Sequence, residues 1–493
     1  MTSMNLSRAD FPVLPTGFER PLFDVRRVSH GIVHLGLGGF HRAHMARYAH
    51  DLMGQDETAL AWGIKGAGLR ASDKELLDVL ADQDGLYTLV EREGSREHRV
   101  VIGSIVTTID ASASTDALLS AIDAPETRIV STTVTENGYH LDRATKALNF
   151  ASPEIIADLA APNRPRTVPG ILVEAYRRRR AAGVRAFTSL CCDNIQHNGQ
   201  VLKAVVLALA DRQDPDLARW IDANASFPNS MVDRITPVPT SEEIVALCAE
   251  TGLRDRASLH AEIFRQWVIE DNFVAERPAW EKVGAQFVRD VAPYEFMKLR
   301  LLNGSHLAIA GLGQLSGYSL ISETIEDPLI RRYMTALMDN ETGPTLMPVP
   351  GIDLADYKQS LINRFANRAI KDTTQRVNND APVNVLVDPI RDRLGGDQSI
   401  DLLALGLAAW CRRVAGEGEN GESITVIHPM ADILACKAQE GRNDPTPLLS
   451  ITELFGPLGR DKRLIAAVGR WLAPIYENGI RATIAAGADQ GLF

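Results

Sequence analysis

Apolar and polar positions change their period part-way along the chain. From about residue 28 to 200, short β-branched runs alternate with helical stretches. Examples are Ile32–Leu35, Arg128–Val134 and Phe187–Cys192, the last preceded by a basic helix from Glu174 to Arg180. Such alternation predicts parallel βαβ units. Residues 201 to 290 add helices and the Phe227–Ile235 segment, which is expected to extend or cover that sheet. After about 291 the strand signal nearly vanishes. Long amphipathic stretches follow at Tyr294–Leu315, Asp327–Asp339, Leu354–Arg368, Asp401–Val414 and Lys462–Asn478. They predict a second part that is mainly helical. Pro344 to Pro350 and Gly416 to Gly421 read as loops. The expectation is an α/β region over residues 1–290 and a mainly α-helical region over 291–493.

The first strand carries a second signal. Gly31-Ile32-Val33-His34-Leu35 runs into Gly36-Leu37-Gly38-Gly39-Phe40-His41-Arg42-Ala43-His44, then into a helix through about Met53. Strand, glycine turn and helix are the context of a dinucleotide fingerprint. Gly36 permits the tight turn, and Gly38 or Gly39 lets backbone N–H groups approach a pyrophosphate at the positive end of the helix. The usual third glycine is replaced by His41, and a plain strand-to-helix turn explains a lone GxG equally well. The next strand, Ala61–Gly66, is followed by Gly68-Leu69-Arg70-Ala71-Ser72-Asp73. Asp73 is the acid best placed to hold an adenosine ribose and repel a 2′-phosphate, whereas Arg70 would welcome that phosphate. Residues 1–290 therefore read as a Rossmann-like dinucleotide-binding domain with a parallel sheet, with NAD favoured over NADP. His41 and His44 suit packing or phosphate contact better than a metal.

The most informative segment begins the helical part: Lys298-Leu299-Arg300-Leu301-Leu302-Asn303-Gly304-Ser305-His306. Read as an α-helix at 100° per residue, Glu295, Lys298, Asn303 and His306 share an arc of about 140°. Met297, Leu299, Leu301, Leu302, Leu307 and Ile309 surround them, so the polar cluster would lie against a packed interior. Desolvation makes a lysine give up its proton more easily. A lysine, an amide and an imidazole together suit removal of a proton from an alcohol whose carbon loses a hydride. A partly exposed helix with an ordinary Lys–Glu pair is the alternative on this segment alone.

Taken together these motifs resemble the polyol-specific long-chain dehydrogenases, the mannitol dehydrogenase family. Gly36-x-Gly38-x-Phe40-x-Arg42-Ala43-His44 is similar to that family's G-x-G-x-F-x-R-A-H start. Lys298-x4-Asn303-x2-His306 is similar to its K-x4-N-x2-H signature. Thr133–Tyr139, Cys192-Asp193-Asn194 with Asn198-Gly199, Phe227–Ile235 and Gln266–Asp271 extend the likeness over most of the chain. The resemblance implies that Lys298 is the general acid/base and that Asn194 and Asn303 hold the reacting oxygen. It implies that His306 orients substrate, that Glu295 and Asp233 line the proton path, and that Arg376 binds substrate hydroxyls. Gly36, Gly38, Gly39, Phe40, Arg42, Asp73, Thr135 and Glu136 would serve the dinucleotide. Ser72 stands where one branch of the family carries a second acid, which leaves NADP as an alternative. The active site is expected in the cleft between the two domains.

Composition narrows the class. A 493-residue chain with 45% hydrophobic and 23% charged residues is that of a globular protein. A formal net charge of −11 argues against nucleic acid as a partner. No apolar run approaches the ~18 residues of a membrane span, and Met1–Asp10 lacks a signal-peptide core. Five cysteines, Cys191, Cys192, Cys248, Cys411 and Cys436, form no CxxC pair. That pattern excludes a zinc framework and points to a reducing compartment, the cytoplasm. The expectation is a zinc-independent, monomeric, NAD-dependent enzyme interconverting D-mannitol and D-fructose, whose oxidation rate rises with pH. Reduction of D-fructuronate is the alternative, with Arg300 and Arg368 as candidate cations for its carboxylate. D-arabinitol or sorbitol oxidation, or a non-catalytic NAD-binding sensor, are further alternatives.

Overall fold

The computed structural model describes residues 4–8, 14–142 and 145–493. The N-terminal stretch read for a leader lies partly outside them. The chain folds into two compact units, Met1–Val291 and Ala292–Phe493.

The first unit is built on a five-stranded, all-parallel sheet. Its strands are β1 (His30–Leu35), β2 (Gly63–Gly68), β3 (Ile105–Asp110), β4 (Ile129–Thr132) and β5 (Thr188–Cys191). They lie in the order β3-β2-β1-β4-β5. Side chains alternate across β1, so Ile32 enters the core under helix Met45–Gln55, while Val33 and Leu35 enter the core under helices Val168–Ala182 and Asn198–Gln213. Burial on both faces explains why these strands read as continuous apolar runs. The strand order reverses between β1 and β4, and ligands of doubly wound sheets sit at the carboxyl ends of strands beside such a reversal.

Two features of this unit depart from the sequence pattern. A four-stranded sheet forms from the antiparallel hairpin Tyr87–Glu93 and Arg96–Ile102 with Leu259–Glu262 and Phe18–Glu19. The Phe227–Ile235 segment, expected on the parallel sheet, instead contributes Ser230–Asp233 to a separate three-stranded sheet with Gln266–Glu270 and Gln286–Val288. The residue just before it, Ser226, bridges Thr188 of β5, and the ladder is not continued past Pro228, which has no N–H. Side chains replace that ladder. The Asn198 amide donates to the Ser230 carbonyl (2.8 Å) and its oxygen accepts from the Ser230 N–H (2.9 Å).

A buried ion network joins these pieces. The Arg234 side chain is fully buried and donates to Glu91 (2.5 Å) and to the Glu262 carbonyl (2.9 Å), with Ala43 O as a further acceptor. Arg47 reaches the same Glu91 carboxylate at 3.2 Å.

The second unit contains no strand among its described residues. Helix Gly304–Leu315 is buried on nearly every side and packs against Asp401–Arg413 and Thr374–Asp380. The continuous helix expected over Tyr294–Leu315 is not uniform. Ala292–Met297 is α-helical, Lys298–Asn303 is a π segment, and the α-helix resumes at Gly304. A second π segment, Leu337–Thr342, ends the Asp327–Asp339 stretch. It carries Glu341, whose carboxylate accepts the Leu402 and Leu403 N–H groups (3.0 and 2.7 Å) at the start of helix Asp401–Arg413.

Candidate active site

The turn after β1 is shaped by its glycines. Gly36 has φ +92°, and a Cβ there would collide with the Thr133 carbonyl. A Cβ on Gly38 would meet nothing nearer than Gly36 O at 3.9 Å, and one on Gly39 nothing within 4 Å. Open space therefore faces the first N–H groups of helix Gly39–Ala43, which have no partner within the helix. The turn is braced from below. The Thr133 hydroxyl donates to Gly36 O (2.9 Å), and His34 bonds Ser131 Oγ and Thr133 Oγ1, both at 2.8 Å. Burial pushes the His34 imidazole down to about 3, so it braces as a neutral ring. His41 stacks on it with centroids 3.4 Å apart, and Phe40 stacks on buried His44 at 5.1 Å. Both histidines are packing groups, and the helix breaks at His44.

Arg42 departs from its expected cofactor role. Its guanidinium turns into the interior, donating to Ala257 O and lying 5.2 Å from the Tyr87 ring centroid. Only its backbone faces the turn. Glu136 is exposed and pairs with Lys146 at 3.3 Å. Thr135 holds φ +63°, a strained conformation for a β-branched residue. The strain is maintained by buried Asp193, whose carboxylate accepts the Val134 and Thr135 N–H groups (3.1 and 2.7 Å) and the Tyr139 hydroxyl. Asn194 follows directly and is exposed, while Asp233 is buried at the end of its strand.

Asp73 is heavily engaged. One oxygen accepts the Leu69 and Arg70 N–H groups (3.1 and 3.0 Å), and the other accepts Nε and Nη2 of Arg70 (3.2 and 3.0 Å). Arg70 itself is largely exposed.

In the second unit Lys298 and Glu295 are buried, at 8% and 5% exposure, whereas Asn303 and His306 are half-buried. The π segment corrects the arc drawn from the sequence. An α-helix would hold Lys298 and Asn303 about 140° apart, at the two ends of that arc. Here the backbone closes on bonds spanning five residues, as from the Gly304 N–H to Leu299 O. A π turn takes up more residues, so Lys298 and Asn303 are drawn closer to one side of the helix than an α-helix would place them. His306, one turn on, faces Asp372 with Nε2 3.3 Å from its Oδ2. Asp372 also accepts Nε of Arg376 at 2.8 Å, and Arg376 reaches Asp380 at 3.0 Å. Burial pushes the Asp372 carboxyl up, but His306 and Arg376 outweigh it and hold it below its ordinary value.

Known proteins carry the same architecture. Residues 30–282 match the mannitol dehydrogenase Rossmann domain, and residues 290–476 match the mannitol dehydrogenase C-terminal domain. The chain belongs to the mannitol dehydrogenase family. It is 41% identical to mannitol dehydrogenase 2 of Saccharomyces cerevisiae over 95% of each chain. It is also 41% identical to D-mannonate oxidoreductase of Escherichia coli, over 95% of this chain and 97% of that one. A solved structure of Pseudomonas fluorescens mannitol 2-dehydrogenase, in a ternary complex with NAD and D-mannitol, superposes with a TM-score of 0.90. It is 41% identical and covers 99% of this chain and 100% of that one.

Membership in the mannitol dehydrogenase family makes this an oxidoreductase acting on CH–OH groups. Among the described residues no group of three His, Cys, Asp or Glu side chains is gathered to hold a metal ion. No helix among them is long and apolar enough to cross a membrane. Sequence reasoning missed three supporting residues: His34 beneath the glycine turn, Asp193 beneath Thr135, and Asp372. Two left a local signal: Asp193 lies inside the Cys192-Asp193-Asn194 motif, and Asp372 precedes Arg376 by four residues, the spacing of a helical ion pair.

Proposed function

We propose that this mannitol dehydrogenase family member is a zinc-independent, NAD-dependent polyol dehydrogenase that interconverts D-mannitol and D-fructose, as a monomer in the cytoplasm. The observation that carries the reading is the buried Lys298 opening a π segment that ends at Asn303, a backbone irregularity frequent at functional sites. Lys298 takes the proton from the substrate hydroxyl during oxidation and returns it during reduction. Asn303 donates to the same oxygen, and His306 and Arg376 hold neighbouring hydroxyls. The turn at Gly36 and the space before Gly38 and Gly39 fit a dinucleotide pyrophosphate. NAD, when bound, supplies the hydride acceptor.

The identities to mannitol and mannonate enzymes are equal, so they favour neither substrate. Of the two cations considered for a hexuronate carboxylate, Arg300 favours the polyol. Arg300 is largely buried and held by Asp392 and by Thr345 O (2.8 Å), whereas Arg368 makes only an exposed pair with Glu326. An anion at Arg300 would have to displace those partners. The test is NADH oxidation with D-fructose and D-fructuronate side by side at matched concentrations, with and without EDTA. Higher turnover with fructose, indifferent to EDTA, is expected. Preference for fructuronate would replace the polyol reading with the hexuronate one, and zinc-reversible inhibition would remove the metal-free mechanism.

Arg70 bears on cofactor choice. A carboxylate offers about four acceptor positions, and those of Asp73 are taken by two backbone N–H groups and the Arg70 fork. A ribose diol must displace Arg70, which is then free to meet a 2′-phosphate. Arg70→Ala is expected to raise the NAD-over-NADP ratio of kcat/KM by about tenfold, one charge-assisted hydrogen bond. An unchanged ratio would show that Arg70 has no part in the choice.

A further inference from the structure

Asp372 is buried to 4% exposure, and its backbone is fixed on both sides. Its carbonyl accepts the Ile321 N–H at 2.9 Å, its N–H donates to Ile370 O at 2.9 Å, and the next residue forms a bridge with Leu320. Thr373 then caps helix Thr374–Asp380 through a bond from the Arg376 N–H (3.1 Å). The carboxylate therefore enters from a rigid strand-like corner and does not ride on a mobile side chain. Its two oxygens are divided between two partners on different helices. Oδ1 takes Nε and Nη2 of Arg376 at 2.8 and 2.7 Å, and Oδ2 faces Nε2 of His306 at 3.3 Å. The His306 contact is close but not aligned as a hydrogen bond, and Phe365 lies against the ring with centroids 5.1 Å apart.

We propose that Asp372 is the positioning residue of the substrate site, fixing the imidazole of His306 and the guanidinium of Arg376 relative to each other. The inference rests on the reading above that these two groups hold substrate hydroxyls. A surface i,i+4 pair would do little of this, since an exposed ion pair is weak and mobile. Arg376 reaches the surface, but the carboxylate is buried and shared between two helices, and it fixes both groups before substrate arrives, which is where orientation gains rate. With Nε2 turned toward Asp372, Nδ1 is the ring nitrogen offered to a substrate hydroxyl. Asp380 holds the other arm of Arg376 at 3.0 Å, so the guanidinium plane is set from two sides and its outer edge is left for substrate.

The experiment compares Asp372→Asn, Asp372→Glu, Arg376→Ala and the double variant Asp372→Asn/Arg376→Ala by steady-state kinetics with D-mannitol. NADH affinity by fluorescence titration and Tm are measured beside them. Asp372→Asn is expected to raise the KM for polyol about tenfold or more, with a smaller fall in kcat and NADH affinity within about twofold of wild type. The double variant is expected to lose much less than the product of the single losses, because the two residues act as one unit. Asp372→Glu keeps the charge but moves it by one methylene; it covers the case in which the amide variant fails to fold, and its polyol KM is expected to rise as well. A folded Asp372 variant with wild-type polyol KM, or fully multiplicative losses in the double variant, would overturn the proposal. Lys298→Ala separates the two levels of the argument. If that variant is inactive while Asp372→Asn is unaffected, only the role of Asp372 falls; if it turns over normally, the underlying catalytic reading falls.

Discussion

Lys298→Ala is expected to lower polyol-dependent reduction of NAD by about a thousandfold, within the range a positioned general base contributes, while NADH still binds. Lys298 is 8% exposed and lies at the start of the π segment, among Met297, Leu301 and Leu302, all buried. Water has little access to replace it as a proton acceptor. The dinucleotide turn lies on other residues, Gly36 to Phe40, so cofactor affinity is not expected to follow the loss. Two measurements check this: initial rates with D-mannitol, and fluorescence titration with NADH. Partial recovery on adding a small primary amine would tie the loss to the missing base rather than to disturbed packing. Near-wild-type turnover in Lys298→Ala would end the assignment of the base. Full turnover in the parent protein would itself exclude a role confined to sensing NAD.

Glu91→Gln is expected to destabilise the first unit by about 3–5 kcal/mol at neutral pH, the cost of leaving a buried charge without its partner. The Arg234 side chain has no solvent exposure and Glu91 has 8%, so neither can turn to water. Burial alone would push the Glu91 carboxyl up; Arg47 and Arg234 reverse this and hold it down at about 2. A carboxyl depressed on folding contributes stability that is full above its unfolded value of 4.5 and is lost as pH falls toward about 2. That contribution amounts to about 3 kcal/mol. The difference between parent and variant should therefore shrink by about 2 kcal/mol between neutral pH and about pH 3. Urea unfolding at the two pH values measures it. A deficit below about 1 kcal/mol, or one that is independent of pH, would mean that the network does not hold Glu91 as described.

Much of the fold was legible in local pattern, because burial imposes its period on the residues that experience it. The strands at Ile32–Leu35 and Phe187–Cys192 and the helix Lys462–Asn478 form where the apolar spacing placed them. The glycine turn was legible for a related reason: a positive φ and a close carbonyl exclude other residues at Gly36. The Lys298–His306 motif was legible as chemistry but not as geometry. Apolar spacing near 3.6 cannot reveal a single turn closed on five-residue bonds, so Lys298 and Asn303 stood at opposite ends of an arc that the π segment narrows.

What tertiary structure decided was which partner each polar side chain takes. Arg42 belongs to a motif expected to serve the cofactor, yet its guanidinium finds Ala257 O, 215 residues away. Phe227–Ile235 has strand composition, but the missing N–H of Pro228 and the side chain of Asn198 place it in another sheet. Asp193 lies in a motif and Asp372 four residues before Arg376, yet neither spacing shows the full set of partners. Only the fold surrounds one with backbone N–H groups and sets the other between His306 and Arg376. Secondary structure follows from near neighbours and from the side of the chain that avoids water. The pairing of buried polar groups depends mostly on contacts made across tens to hundreds of residues, which local spacing does not encode.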